Sequence, residues 1–267
     1  HIVEFRNGES GLHVLHIQTI TEMLLRQLVQ KENNRYALSK EQIRMITTAS
    51  ALHDIGKISI PDEILNKPGR LTAEEFAVIK GHSMAGANML SELPLDQKEE
   101  PLVKTAYEIC RWHHERYDGG GYPDGLKGEE IPVSAQVVAL ADVYDALTSE
   151  RCYKDAYSHE KAIEMILAGQ CGAFNPLMLE CLLDISSSLK KKMGYKSKER
   201  YEQTDLSDIA SRFHDFEMDS SEKIVQQLEF ERMRYNFLAE GSRNIVFTYT
   251  ISPPLLTFNQ AGCKRSG

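Results

Sequence analysis

The strongest restriction on the fold comes from helix-start signals that recur through roughly the first 185 residues. Ser39–Gln42 and Thr72–Glu75 have the capping-box form, in which a hydroxyl and a Gln or Glu side chain satisfy backbone N–H groups. Ser134, Ser158 and Asn175–Pro176 mark further starts, the last with Pro at the first helical position. Apolar residues recur at helical spacing between these signals. This part of the chain is therefore predicted to be all-α.

The composition changes after this helical part. A basic run over Lys190–Arg200 is typical of a solvated helix end or a linker, and the polar stretch Asp205–Ser221 extends it. An amphipathic helix is predicted over 223–240. Strands are predicted at Ile245–Ile251 and Leu255–Phe258, with Pro253–Pro254 turning the chain between them.

These changes predict three segments: a domain over 1–188, a polar and basic linker over 189–222, and a final segment over 223–267. Two strands alone do not make a stable sheet. The stretch from Phe230 to Phe258 resembles the start of a PAS domain, so the last segment is predicted to be a helix followed by a truncated PAS-like domain.

Composition excludes several classes of protein. The formal net charge is −8, whereas a protein that binds a DNA or RNA duplex is normally basic. No apolar run reaches the ~18 residues that a membrane helix needs. The five cysteines form no C-x-x-C motif, which disfavours a disulfide framework and favours a reducing compartment. The chain begins at His1 rather than Met, so we expect it to be part of a longer protein.

Histidines and carboxylates form the most informative pattern. His53–Asp54 follows a predicted helix, and Glu9 and His13 are spaced i, i+4 on one helical face. Neutral imidazole and carboxylate groups are the ligands that Zn, Fe and Mn accept. Other candidate ligands are His82, His113, His114 and Asp142. Each alone is compatible with a hydrogen-bonded core or surface residue, but eight such residues together favour a metal site.

Eight ligands are too many for one ion and suit two or three ions that share bridging carboxylates. Two ions about 3.5–4 Å apart can hold a bridging hydroxide and stabilise an in-line displacement at phosphorus. The pattern therefore predicts phosphoester hydrolysis.

Ordered motifs also carry a resemblance to a known family. They are His53–Lys57, Pro61–Thr72, His113–Pro123 and Ala141–Ser149. Through these motifs the chain from about residue 9 to residue 183 resembles the HD-GYP subgroup of HD-domain phosphohydrolases. The resemblance implies an all-α, multi-helix HD-domain bundle, followed here by a C-terminal helical linker and a short β fragment.

The resemblance further implies a role for each candidate residue. The implied metal ligands are Glu9, His13, His53, Asp54, His82, His113, His114 and Asp142. They would hold two or three divalent or ferric ions, more often iron or manganese than zinc, and Glu9 would decide between two and three. The remaining histidines, His1, His16, His159 and His214, are left without a role.

The implied substrate contacts lie elsewhere. Asp54 and Lys57 are implied to be catalytic, Lys57 by contacting the phosphate. Arg151 and Lys154 are implied to bind the dinucleotide backbone, although Cys152 replaces a Pro that many relatives carry between them. Tyr122 is a candidate stacking surface for guanine, with packing of its turn as the alternative.

The implied activity is hydrolysis of cyclic di-GMP to linear pGpG or GMP through a metal-bridging hydroxide, in bacterial second-messenger signalling. Three alternatives stay open: a catalytically silent module that binds a dinucleotide or a cyclase, a phosphodiesterase for a mixed cyclic GMP–AMP dinucleotide, and a general HD phosphohydrolase that acts on nucleotides, which the GYP loop disfavours. The resemblance also implies contact with a diguanylate cyclase domain through Gly121–Pro123, allows a homodimer, and places the protein in the bacterial cytoplasm.

Overall fold

The computed structural model describes residues 11–149, 156–194, 247–251 and 254–258. The chain divides into two compact units, His1–Ser197 and Lys198–Gly267. The α-helices described in the first unit are α1 (Gly11–Leu28), α2 (Lys40–Ala49), α3 (Asp62–Leu65), α4 (Ala73–Ser91), α5 (Leu95–Lys98), α6 (Pro101–Trp112), α7 (Val133–Thr148), α8 (His159–Leu167) and α9 (Pro176–Gly194). Short 3-10 helices cover Ser50–Leu52, Ile55–Ser59 and Gly128–Glu130. The prediction of an all-α domain is confirmed. None of the described helices combines the length and apolar character needed to cross a bilayer.

Side-chain caps begin three of these helices where the sequence predicts them. Ser39 and Thr72 each complete a capping box with the residue three positions later, at the starts of α2 and α4. Ser158 accepts a hydrogen bond from the backbone of Lys161 at the start of α8. Pro176 opens α9 as predicted, because its missing N–H would have no helical partner there.

The predicted cap at Ser134 is wrong. Helix α7 begins at Val133, so Ser134 lies inside it, and the N-cap is Pro132, two residues earlier and without a side-chain hydrogen bond. Ser134 is buried, and its hydroxyl donates to Glu108 Oε2 at 2.7 Å. The hydroxyl therefore pairs α7 with α6 instead of capping its own helix, and a buried polar group gains the partner it needs.

Helix α7 lies at the centre of the first unit. Residues 134–141 are all buried, which is typical of a helix surrounded by other elements. It packs against α1, α6 and α8, and α1 packs in turn against α2 and α9. Five α1 side chains that are fully buried fill this core: Ile17, Ile20, Leu24, Leu25 and Leu28. The two helices that carry the predicted ligands His13 and Asp142 are thus fixed against each other.

A glycine contact holds the 3-10 helix Ile55–Ser59 against α4. A Cβ atom on Gly56 would lie 1.9 Å from the carbonyl oxygen of His82 and 2.4 Å from the nitrogen of Gly86. Only a residue without a side chain permits this approach. The contact places the turn that carries Asp54 directly beside α4.

Helix α9 continues to Gly194, past the boundary predicted at 188, because Leu189 is fully buried. The first lysines of the basic run, at 190–192, are exposed on its last turn. In the second unit, β1 (Phe247–Ile251) pairs antiparallel with β2 (Pro254–Phe258). The predicted helix over 223–240 lies outside the described residues, and the PAS-like assignment stays a prediction.

Candidate metal centre

Four buried histidines from different parts of the fold meet in the first unit. His13 comes from α1, His53 follows the first 3-10 helix, His82 lies in α4, and His113 is the C-cap of α6. The Nε2 atoms of His13 and His53 are 3.4 Å apart, and so are those of His82 and His113. The elements separated in sequence thus bring their imidazoles edge to edge.

Backbone carbonyls orient three of these rings. The Nδ1 atoms of His53, His82 and His113 lie 2.9, 2.7 and 2.9 Å from the carbonyl oxygens of Ser50, Ile79 and Ile109, respectively. A carbonyl oxygen can only accept, so each Nδ1 carries a proton, and whenever the ring is neutral its Nε2 presents a lone pair. Such an outer hydrogen bond is usual for metal-ligating histidines.

Asp54 lies between the two histidine pairs. Its Oδ1 is 3.1 Å from Nε2 of His82 and 3.9 Å from Nε2 of His113, and its Oδ2 is 3.2 Å from Nε2 of His53. Two compact donor groups share this carboxylate, and within each the ligand atoms lie within 4.8 Å of one another. These groups are Asp54, His82, His113 and His114, and His13, His53 and Asp54.

This donor set fits metal ions. In the tautomers that the carbonyls select, facing Nε2 atoms are both acceptors at 3.4 Å, and a cation between acceptors provides the missing partner. Imidazole nitrogen and carboxylate oxygen suit iron, manganese and zinc alike. The two groups could each hold one ion, with Asp54 as the bridge.

The protonation of the cluster is set by burial and by Asp54. Burial lowers the pKa of His53, but the Asp54 carboxylate outweighs this effect and raises the pKa to about 9. Burial and neighbouring imidazoles lower the pKa of His113 well below its usual value, and they lower the pKa of His114 to about 4. Lys57 and His53 together hold the pKa of Asp54 well below its usual range despite burial. The carboxylate is therefore ionised, and His113 and His114 are neutral, as ligation requires.

Asp142 and Lys57 border this cluster. Asp142 Oδ1 lies 3.9 Å from His13 Nε2, with the side chain about one-fifth exposed, and it belongs to neither compact donor group. Lys57 Nζ lies 2.7 Å from Asp54 Oδ2. The ammonium group thus occupies the side of the carboxylate that faces His53, so in this structure it neutralises Asp54.

The glycine-rich loop packs against the cluster. Tyr122 stacks on His114, with ring centroids 4.8 Å apart and planes 28° from parallel, and the peptide to Pro123 is cis. A Cβ on Gly121 would lie 2.3 Å from the nitrogen of Arg116, so glycine is required at this close approach. Tyr122 therefore packs against a predicted metal ligand.

Two carboxylates, those of Asp124 and Glu115, anchor the end of this loop. Asp124 accepts two hydrogen bonds from Arg111 at 2.7 and 3.0 Å and one from the indole of Trp112 at 2.7 Å. The buried Glu115 carboxylate accepts the backbone N–H groups of Asp124 and Gly125 at 2.7 and 3.0 Å. The loop is therefore tied to the end of α6, next to His113 and His114.

Sequence reasoning missed Asp145 and left His16 without a role. Asp145 is 1% exposed, and its two oxygens lie 2.7 Å from Nδ1 of His13 and 2.6 Å from Nδ1 of His16. Ser149 donates to the same carboxylate at 2.9 Å. His13 thus donates its outer hydrogen bond to a carboxylate, whereas the other three histidines donate theirs to backbone carbonyls. The available signal was spacing, because Asp145 and His16 each lie three positions after a predicted ligand on one helical face.

Three predicted residues, Glu9, Arg151 and Lys154, lie outside the described residues. The structure brings together His13, His53, Asp54, His82, His113 and His114 as donor groups, and it places Asp142, Lys57 and Tyr122 at their border.

Known proteins resemble this chain over most of its helical unit. A family model described as "HD domain" matches residues 12–174. A "Probable cyclic di-GMP phosphodiesterase" of Vibrio cholerae is 42% identical over 188 residues, which are 68% of this chain and 42% of that protein. A "3'3'-cGAMP-specific phosphodiesterase 2" of the same organism is 39% identical over 68% of this chain and 32% of its own length. The chain thus spans less than half of the length of these relatives.

A solved structure shares the fold. It is that of Bd1817, described as an HDG"Y"P protein from Bdellovibrio bacteriovorus, with a TM-score of 0.50 and 22% identity over 66% of this chain and 51% of that one.

Proposed function

Because the chain belongs to the HD domain family, we propose that it is a metal-dependent phosphodiesterase that hydrolyses cyclic di-GMP. The observation that carries this proposal is the pair of donor groups that share Asp54. Relatives over 68% of this chain bear the names of phosphodiesterases for cyclic dinucleotides.

In this proposal His13 and His53 would hold one ion, His82, His113 and His114 would hold the other, and Asp54 would serve both groups. Bound in such a pair, metal ions activate water and neutralise charge on a phosphoryl group. Iron or manganese remains the proposed identity of the ions. Glu9 is proposed as a ligand of a third ion, and Asp142 as a further ligand beside His13. No nucleophilic side chain is required. The chain's own residues would serve to orient the phosphodiester for attack.

Lys57 has a second role in this proposal. In the structure it neutralises Asp54 at 2.7 Å. With ions bound at Asp54, the Lys57 ammonium would be available to bind a phosphate oxygen, where its charge would stabilise the transition state. Arg151 and Lys154 are proposed to grip the dinucleotide backbone, and Tyr122 to line the substrate. The cyclase contact through Gly121–Pro123, the homodimer and the cytoplasmic location stay predictions.

A mixed cyclic GMP–AMP dinucleotide is the second candidate substrate, because a relative with 39% identity is named for it. A silent binding module is less well supported, since the described residues form two donor groups that could each hold an ion. Product analysis by chromatography, with both dinucleotides and anaerobically purified protein, separates these three outcomes.

The decisive variant is Asp54→Ala, with Asp96→Ala as a control at an exposed carboxylate. Asp54→Ala should lose metal by elemental analysis, and hydrolysis should fall by more than the roughly 100-fold that outer hydrogen-bond partners typically control. Asp96→Ala should retain both. Unchanged hydrolysis by a folded, metal-analysed Asp54→Ala protein would refute the mechanism.

A further inference from the structure

A lysine on α4 lies between two aromatic rings at the rim of the metal centre. Lys80 Nζ is 5.3 Å from the ring centroid of Phe76 and 5.6 Å from that of Tyr122. Tyr122 stacks in turn on His114. A continuous series of contacts therefore leads from a predicted metal ligand outward to Phe76, which is 49% exposed.

The first two turns of α4 project from the core. The first buried residue of this helix is His82, whereas Phe76 is exposed and Lys80 is partly exposed. Lys57 and Lys67 are ion-paired with Asp54 and Glu75. Within the described ranges, the Lys80 side chain makes no ion pair, and its ammonium group lies near the two rings. Cation–π contacts at exposed sites are weak, so Lys80 can leave the rings for an anion.

The proposed substrate needs contacts beyond the metal ions. A cyclic dinucleotide carries two phosphodiesters and two purines, and only one phosphodiester can be at the reacting position. The second phosphate requires a cation, and a purine gains from stacking on an aromatic ring. One helical turn of α4 offers both groups next to Tyr122.

We propose that Lys80 and Phe76 form a subsite for the unreacted half of the dinucleotide, with Lys80 binding the second phosphate and Phe76 stacking on a purine. This inference rests on the proposed function. It assigns the first two turns of α4 to substrate binding, whereas His82 on the same helix serves the metal centre.

The test compares two phosphodiesters on the full chain loaded with metal. Cyclic di-GMP contains the second phosphate and the purines, whereas bis(p-nitrophenyl) phosphate contains neither. In Lys80→Ala and in Phe76→Ala, the ratio of kcat/KM for cyclic di-GMP to kcat/KM for bis(p-nitrophenyl) phosphate should fall about tenfold, chiefly through KM. That size is in the range expected for one charged hydrogen bond or one base–aromatic stack.

Conservative and control variants separate binding from helix damage. Lys80→Arg and Phe76→Tyr should restore most of the ratio, because they keep the cation and the ring. Val78→Ala changes an exposed residue between them that points to another side of α4, and it should leave the ratio unchanged. A ratio within twofold of the wild type in both alanine variants would overturn the subsite.

The two proposals fail in distinguishable ways. If the wild-type protein hydrolyses bis(p-nitrophenyl) phosphate but neither cyclic dinucleotide, the proposed substrate class is wrong, and the subsite is wrong with it. If the wild-type protein hydrolyses cyclic di-GMP and the alanine variants keep its ratio, only the subsite is wrong.

Discussion

Replacing Asp145 with asparagine should weaken metal binding on the His13 side of the centre. In the structure one carboxylate oxygen faces His13 Nδ1 at 2.7 Å, and the other faces His16 Nδ1 at 2.6 Å. An asparagine has one acceptor oxygen and one NH₂ group, so it can accept from only one imidazole. If the NH₂ group faces His13, the ring must place its proton on Nε2, which then cannot ligate.

The magnitude follows from this geometry. Loss of an outer partner of a metal-ligating histidine typically costs 10- to 100-fold in affinity, which is about 1.4–2.7 kcal/mol. Either orientation of the amide also removes the negative charge that increases the basicity of His13. We expect the larger loss if the NH₂ group faces His13 and the smaller loss if it faces His16.

Calorimetric titration of the metal-free protein with Mn²⁺ checks this prediction. One ion should bind 10- to 100-fold more weakly to Asp145→Asn, while the ion held by His82 and His113 should change less than threefold. Asp184→Asn is a matched control, because this carboxylate on α9 is 41% exposed and pairs with Lys31. Two unchanged affinities in a folded Asp145→Asn protein would refute the role of Asp145.

Three further outcomes follow from the structure. Gly56→Ala should lower the free energy of unfolding by about 3 kcal/mol or more, because its Cβ would lie 1.9 Å from a backbone oxygen of α4. The control Gly81→Ala, whose Cβ would have no heavy atom within 4 Å, should be neutral or raise the free energy of unfolding by about 0.5–1 kcal/mol. Equal denaturation midpoints for the two variants would contradict the close approach at Gly56. Lys57→Ala should slow cyclic di-GMP hydrolysis while elemental analysis shows normal metal, and loss of metal would make Lys57 structural. Saturating Mn²⁺ at about 100 times its Kd should raise the melting temperature of the metal-free protein by about 5 to 11 °C, and no rise would exclude specific binding to the folded state.

The sequence predicted the helical elements well where local chemistry decides them. The boxes at Ser39 and Thr72 form because a hydroxyl and an acceptor side chain three positions later satisfy backbone donors without help from the rest of the fold. The same reasoning failed at Ser134. Its hydroxyl pairs with Glu108, and no local pattern indicates that α6 lies beside it.

The same contrast between local chemistry and tertiary packing applies to the metal centre. The sequence offered eight candidate ligands because imidazoles and carboxylates recur together near predicted helices, and six of the eight lie in the two donor groups. Their grouping was not readable. That Asp54 lies between two histidine pairs depends on the Gly56 contact with α4, which joins elements about thirty residues apart.

The sequence by itself therefore indicated the capped helix starts at Ser39, Thr72 and Ser158 and a set of candidate metal ligands, since both follow from short-range chemistry. Only the tertiary structure decided that Asp145 holds His13 and that Lys80 lies between Phe76 and Tyr122. These pairs join α1 to α7 and α4 to the glycine-rich loop, and distances across packed helices are set by the shape of the core rather than by spacing along the chain.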